Sequence, residues 1–398
     1  MFKKVNNIFL VYYSSFTTKS GSNIHILELL NNLKKYTDVV LFAPGQKGIE
    51  RVFSGVKYVP VINNKYLVQP SYEIMLSVYL LYACLKNRPE VLYLRQNSFP
   101  FLPIALCRIF KIPPSIVEVN GLVMDELSVS PDSKSFAYRV FSYLALRSEK
   151  FNYTYCDRIV SVTDKLKDEL VRLYSVPAEK VIVINNGANT DIFKPMDQKQ
   201  VRDRLKLDNS KKYVCFVGGH LAAWQGVEFL IYAAPYILEK SPDVRFLVVG
   251  DGVMKDKLIE IASETGGVLD KFTFTGRVPY ESVPEYINAA DVCVAPFIKD
   301  RNSKIGLSAL KTYEYLACGK PIVASDIAGV KDLLDLSGGG ISVPPEIPGD
   351  LANAVVELIS DQNIRNAMGE RGGRKYVIEN HSWDEVARKI LDICYEII

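Results

Sequence analysis

The stretch Ser308-Ala309-Leu310-Lys311-Thr312-Tyr313-Glu314-Tyr315-Leu316-Ala317-Cys318-Gly319-Lys320-Pro321-Ile322-Val323-Ala324-Ser325 reads as a helix running directly into a strand. Gly319 stands where a helix ends by turning left-handed, and Pro321 cannot continue it. The run Ile322–Ala324 is apolar without polar alternation, the pattern of a strand covered on both faces. Lys311 and Glu314 lie three apart and so share a helix face near its start. They read either as a solvated salt bridge or, since the neighbours are apolar, as a buried carboxylate with a partner.

The same helix-and-strand grammar extends in both directions. Strand-like runs upstream are Ile8–Tyr12, Val39–Phe42, Val56–Val61, Val91–Leu94, Ile116–Val119, Ile159–Val162 and Val181–Ile184. After residue 200 come Tyr213–Val217, Val244–Val249, Phe272–Phe274, Val292–Ala295, Ile322–Ala324 and Ile341–Val343. Helical patterns separate many of them, including Asn23–Leu33, Lys165–Leu173, Gly226–Leu238, Val253–Ala262 and Leu351–Ile359. A βαβα rhythm predicts parallel sheets with helices on both faces. Two such series flank the polar stretch Lys194–Lys212. This predicts an α/β protein of two doubly wound, Rossmann-like domains, residues 1–190 and 191–380. The chain is expected to cross first at Asp191–Pro195. A last helix within 381–398 is expected to pack back on the first domain. In such folds ligands bind beyond the carboxyl ends of the strands, so chemistry is sought in the loops that follow them.

Composition bounds the partners. The chain has 398 residues, 48% hydrophobic and 23% charged, with a formal charge of +3. That is too near neutral for a dedicated nucleic-acid binder, and too apolar for disorder. The charge is uneven: residues 1–200 carry 25 Lys and Arg against 17 acids, the remainder 23 against 28. The basic front half is therefore expected to meet something anionic, a membrane surface or a phosphorylated acceptor. Seven cysteines without a CxxC pair read as reduced, buried small residues and imply a cytoplasmic address. The N-terminal apolar run Ile8–Tyr13 is too short for a signal peptide and reads as a first buried strand. Ile74–Leu85 is too short to span a bilayer.

Three loops look equipped to hold a ligand. Thr18-Lys19-Ser20-Gly21-Ser22-Asn23 follows the first strand and leads into a helix, where free backbone N–H groups suit an anion or a sugar hydroxyl. Any strand-to-helix turn uses such residues, so that loop also reads as plain structure. Val217-Gly218-Gly219-His220-Leu221-Ala222-Ala223-Trp224-Gln225-Gly226 is neither a P-loop nor GxGxxG, but glycine there permits close backbone approach. Val249-Gly250-Asp251-Gly252 repeats the arrangement after the next strand.

With these go Asn186-Gly187-Ala188-Asn189, Phe274-Thr275-Gly276-Arg277-Val278-Pro279, Ala290-Asp291-Val292 and Tyr313-Glu314-Tyr315-Leu316-Ala317-Cys318-Gly319-Lys320-Pro321. In this order, over about residues 180–345, they resemble a GT-B glycosyltransferase of family 4, the retaining family also called glycosyl transferases group 1. The first half resembles it more loosely, through Ser20-Gly21, Glu118-Val119-Asn120-Gly121 and Ser161-Val162-Thr163. The resemblance implies a GT-B fold and a UDP- or GDP-sugar as donor substrate, without cofactor or metal. It implies that Glu314 accepts from the ribose hydroxyls, a task for which a carboxylate is suited. Gly276, Arg277 and Val278 would meet the base. Gly21, Gly219, Gln225, Ser308 and Leu310 would line the donor, with helix amides facing the phosphates.

Several positions depart from the family's usual pattern. The first of its two paired glutamates falls on Gly306, and Ser308 and Lys311 match a known Ser/Lys variant. The two diphosphate-binding cations fall on His220 and Gln225, leaving Lys311 as the substitute cation and His220 as a donor. The first-domain histidine falls on Asn120, which would position a hydroxyl. The implied mechanism is retaining transfer through an oxocarbenium-like state. Lys311 and helix amides would stabilise the leaving diphosphate, which itself takes the acceptor's proton. The acceptor is expected to be a glycan or a lipid-linked sugar. Residues 133–152 interleave Lys134, Arg139, Arg147 and Lys150 with aromatics, and read either as a contact to an anionic membrane or as a helix burying its rings on its own sheet. The protein is thus expected in the cytoplasm or at the inner face of the membrane. His25 reads as a packed helix residue or as one facing the acceptor, and His381 as a capping or surface residue. The rival functions are a nucleotide-sugar 2-epimerase, for which the sequence shows no carboxylate and histidine cluster, and a non-catalytic GT-B scaffold that binds sugar nucleotide or glycan.

Overall fold

A computed structural model describes residues 5–14, 16, 20–45, 55–64, 67–86, 88–96, 101–110, 113–122 and 136–398, with backbone only at 136–139, 141, 301, 370 and 371. Thr18, Lys19 and Lys134 lie outside these residues. The chain divides into two compact units, Met1–Asn185 with Val386–Ile398, and Asn186–Glu385.

The first unit is built on β1 (Asn7–Val11), β2 (Asp38–Gly45), β3 (Val56–Pro60), β4 (Val91–Arg95), β5 (Ser115–Val119), β6 (Arg158–Ser161) and β7 (Val181–Val183). They form one seven-stranded sheet in the order β3-β2-β1-β4-β5-β6-β7, and every neighbouring pair is parallel. Order reverses between β1 and β4, so the loops after these strands open at the switch point where ligands bind in such sheets. Right-handed crossovers put helices Val68–Lys86, Leu102–Phe110 and Phe136–Tyr155 on one face and Gly21–Leu33 on the other.

The second unit holds β8 (Lys212–Gly218), β9 (Val244–Gly250), β10 (Phe272–Gly276), β11 (Val292–Ala295), β12 (Ile322–Ser325) and β13 (Gly340–Val343). Its parallel sheet runs β10-β9-β8-β11-β12-β13, with the switch point between β8 and β11. Alternation along β8 divides the core. Tyr213, Cys215 and Val217 face one apolar cluster, Val214 and Phe216 the other.

The polar stretch 194–212 lies wholly within the second unit. It forms helix Gln198–Arg204 inside the second unit, whose Arg202 is buried and ion-paired with Asp291 at 2.8 Å. Asp191–Pro195 lies inside the same unit, with Phe193 buried. The final helix starts at Trp383, and its residues from Val386 onward belong to the first unit. All seven cysteines are free; five are buried, and Cys84 and Cys107 are half-buried. Among the described residues no helix is long and apolar enough to cross a membrane.

Candidate functional site

In the second unit the loops beyond β8, β9, β10 and β11 are stitched into one rim. The pairing of β8 with β9 runs on to Gly218 and Gly250. A Cβ at Gly250, where φ is +133°, would lie 1.8 Å from the Gly218 carbonyl oxygen, so only glycine lets the two strand ends approach. Leu221 N–H donates to the Asp251 carbonyl at 3.0 Å, and Met254 N–H returns to Leu221 at 3.0 Å. On the other side Asn302 donates its amide to the Trp224 carbonyl at 3.0 Å, tying the β8 loop to the segment after β11. Gly219 and His220 stand exposed on this rim, with open space around the Gly219 Cα.

Helix Leu310–Ala317 lies under the rim, and no side chain caps its first turn. Lys311 sits in that turn. Its side chain is more than nine-tenths buried, and its Nζ has no hydrogen-bond partner among the described residues. The ammonium instead lies 3.9 Å from the centre of the Phe216 ring and 5.4 Å from that of Phe297. Burial pushes its pKa down to about 7, although the Glu314 charge pulls the other way. A helix N-terminus is also unfavourable to a cation. The site thus holds a desolvated, unpaired amine that an anion would satisfy.

Glu314, one turn further along, is buried and accepts from the Tyr280 hydroxyl at 3.3 Å. Tyr280 follows the Gly276-Arg277-Val278 loop, so this contact brings that loop to the same helix. Gly276 is left-handed at φ +70°, and a Cβ there would sit 3.5 Å from Lys255 Nζ. Lys255 is in turn 3.8 Å from the Asp251 carboxylate. Arg277 itself is exposed.

Two of the expected donor contacts occupy other places. The Ser308 hydroxyl accepts from Asn186 N–H at 2.8 Å and lies 3.0 Å from the Tyr313 hydroxyl, while Asn186 Nδ2 donates to the Ser308 carbonyl at 2.5 Å. Its side chain anchors the segment before the helix. Gln225 is buried beneath Gly218, whose Cβ would meet Gln225 Oε1 at 2.4 Å. His381 is the C-cap of helix Lys375–Asn380 and not a surface residue; its ring packs on Tyr313 and Tyr376 at 5.0 and 5.4 Å.

The first unit gathers its own polar cluster at the end of β5. Glu118 is fully buried and accepts from Tyr93 Oη at 2.7 Å and Asn120 Nδ2 at 2.6 Å. His25 Nε2 lies 3.0 Å and Arg95 Nε 3.6 Å from its carboxylate. Burial alone would raise this pKa. The His25 and Arg95 charges, with hydrogen bonds from His25 and Asn120, hold it well below the usual carboxylate range. Arg95 also donates to the Ser22 carbonyl at 3.2 Å, which joins Asn120 to the turn that begins at Gly21. Ser20 caps that turn by accepting from Asn23 N–H.

Lys255, Tyr280, the Phe216 and Phe297 rings and Arg95 carry no site reading in the sequence, and neither does the pairing of His25 with Glu118. Lys255 offered a faint signal, as a cation four residues after Asp251.

Residues 211–361 match the family model described as Glycosyl transferases group 1, and residues 19–192 that of Glycosyltransferase Family 4. An uncharacterized glycosyltransferase of Methanocaldococcus jannaschii is 31% identical over 268 residues, 66% of this chain and 64% of the relative. Alpha-D-kanosaminyltransferase of Streptomyces kanamyceticus is 29% identical over 279 residues, 69% of this chain and 68% of the relative. A D-inositol 3-phosphate glycosyltransferase of Streptomyces bingchenggensis is 28% identical over 249 residues, 60% of this chain but only 53% of the relative. Sucrose-phosphate synthase of Thermosynechococcus elongatus superposes with a TM-score of 0.77 at 19% identity, covering 98% of both chains. Anabaena HepE, solved with UDP-glucose, gives 0.73 at 16% identity over 98% of this chain and 99% of that one. At such identities these structures speak for the fold alone, which is GT-B. A family 4 domain followed by a group 1 domain, each on its own Rossmann-like sheet, makes the chain a member of the GT-B glycosyltransferases.

Proposed function

We propose that the protein transfers a sugar from a UDP- or GDP-linked donor to a glycan or lipid-linked acceptor, with retention and without a metal. The observation that carries this reading is Lys311. A buried amine without a hydrogen-bond partner, in the uncapped first turn of a helix, is costly unless an anion completes it. A donor pyrophosphate would supply that anion, and Glu314 one turn away would accept from the ribose diol. Lys255 beside Gly276 adds a second cation, at the turn assigned to the base. His220, exposed on the rim, remains a donor to the phosphates, and Asn120, anchored by Glu118, would orient a hydroxyl. Relatives named for glycosyl transfer, and a GT-B neighbour solved with UDP-glucose, support the same donor class.

The test is calorimetry with UDP- and GDP-sugars, followed by assay of transfer and of sugar release. Measurable donor binding with turnover and an unchanged anomeric configuration in the product is the expected result. Binding without transfer or release to any acceptor favours the scaffold reading. Glu314→Gln keeps the shape and removes the charge, so donor affinity should fall by ~1.5–3 kcal/mol, the range for hydrogen bonds to charged groups. A 2′-deoxyribose donor should lose little further in that variant. Unchanged affinity would remove Glu314 from the ribose site.

A further inference from the structure

Helices Val68–Lys86, Leu102–Phe110 and Phe136–Tyr155 pack side by side on one face of the first unit's sheet, joined by the edge-on contact of Phe101 with Phe151. Their outer surface is unusually apolar. On the first helix Ile74, Val78, Tyr82 and Leu85 are 58%, 55%, 65% and 88% exposed. At ~100° per residue their spacing keeps them within an arc of about 80°, a continuous stripe facing water. Ile109 and Phe110 continue it on the second helix, and Val140, Tyr143 and Leu144 on the third.

Among the described residues, the charge exposed on these three helices has one sign. Lys86, Arg108, Arg147 and Lys150 are exposed there. The arginines lie over tyrosine rings, Arg108 at 5.7 Å from Tyr155 and Arg147 at 5.2 Å from Tyr143. The only acids in the three helices are Glu73 and Glu149, both buried. Glu73 accepts from the backbone of Phe101 and Leu102, Glu149 from Tyr153 and Tyr174. Beside the C-terminal turn of the first helix lies a groove of about 1070 Å³ lined by Lys34, Lys57, Lys86 and Arg88, with Asp38 as its sole acid.

We propose that the outer face of these three helices docks on an anionic phospholipid bilayer, with the groove receiving a headgroup phosphate. Exposed aliphatics and tyrosines among cations that can extend towards phosphates are the features of an interfacial surface. A single-sign surface also disfavours pairing with a second copy, because a two-fold interface would set cations against cations. This docking is independent of the sugar-transfer reading, and it widens the membrane contact read at 133–152 to two further helices.

The full chain, without donor, is sedimented with vesicles of phosphatidylcholine alone or mixed equally with phosphatidylglycerol. Binding to the mixed vesicles only, weakening with salt, is expected. Val78→Glu with Leu85→Glu, and separately Lys86→Glu with Arg147→Glu, should each lower the bound fraction roughly tenfold or more. All four positions are exposed, so thermal melting and donor affinity should be unchanged. Equal binding to neutral vesicles, no binding to either, or variants that bind like the parent would overturn the proposal. So would a parent dimer in solution that Val78→Glu with Leu85→Glu dissociates, since the stripe would then belong to a second copy.

Discussion

Lys311→Met is expected to lower kcat/KM by ~10²–10³, the scale seen when a donor to developing negative charge is removed. The leaving diphosphate gains charge as the glycosidic bond breaks, so the loss should fall more on kcat than on donor binding. Protein stability should move the other way. Methionine fills the same space between Phe216 and Phe297 without a buried unpaired charge, and such replacements are neutral or stabilising. A variant that melts no lower than the parent yet turns over poorly separates chemistry from folding. pH gives a second readout of opposite sign. With its pKa lowered to about 7, the free enzyme's Lys311 is neutral in the folded state and charged in the unfolded state between about 7 and its ordinary value. The unfolded chain then binds the extra proton, so the lysine's cost is fully present below pH 7 and is relieved as pH rises. The charged amine favours the donor diphosphate, so parent affinity should fall modestly as pH rises above about 7, while Lys311→Met stays flat. A variant with parental turnover would remove Lys311 from the mechanism.

The strands were legible because both sheets are parallel and covered on both faces. A run such as Val292–Ala295 has no polar interruption to obscure it, and the observed β11 has those same bounds. The Gly319 and Pro321 punctuation likewise fixed where helix Leu310–Ala317 gives way to β12. What stayed hidden depends on contacts between distant residues. Nothing local connects His25 with Glu118, 93 residues on, or Asn186 with Ser308, 122 residues on. A motif position also fails to specify direction. Gln225 falls where the family has a cation, yet its side chain goes under Gly218 rather than onto the rim. Polar composition marked 194–212 as the stretch between two series and hid its core residue, because Arg202 counts as polar although Asp291 lets it be buried. Lys311 and Glu314 were found together because helical spacing alone puts them on one face. The aromatic floor beneath the amine comes from the ends of β8 and β11, which only the sheet brings together.

Glu118→Gln should destabilise the first unit by ~3–5 kcal/mol, as when one partner of a buried ionic cluster is removed. The glutamine amide would point N–H groups at Tyr93, Asn120 or Arg95, all of which already donate or bring positive charge. His25 and Arg95 would then share a buried space without their counter-charge. Acid should act in the same direction. A carboxylate held below its ordinary pKa contributes stability that is present above the unfolded value and lost as pH falls through the folded one. The parent should therefore lose first-unit stability below about pH 4, and Glu118→Gln should lack that component. Both tryptophans, Trp224 and Trp383, lie in the second unit. Trp383 opens the helix that continues into the first unit, so the measurement uses a Trp383→Phe background, where Trp224 fluorescence follows the second unit and far-ultraviolet circular dichroism follows both. Urea unfolding of the variant should bring the dichroism midpoint forward and leave the tryptophan midpoint in place. Coincident shifts of both, or neither shift, would show that the Glu118 cluster does not hold the first unit together.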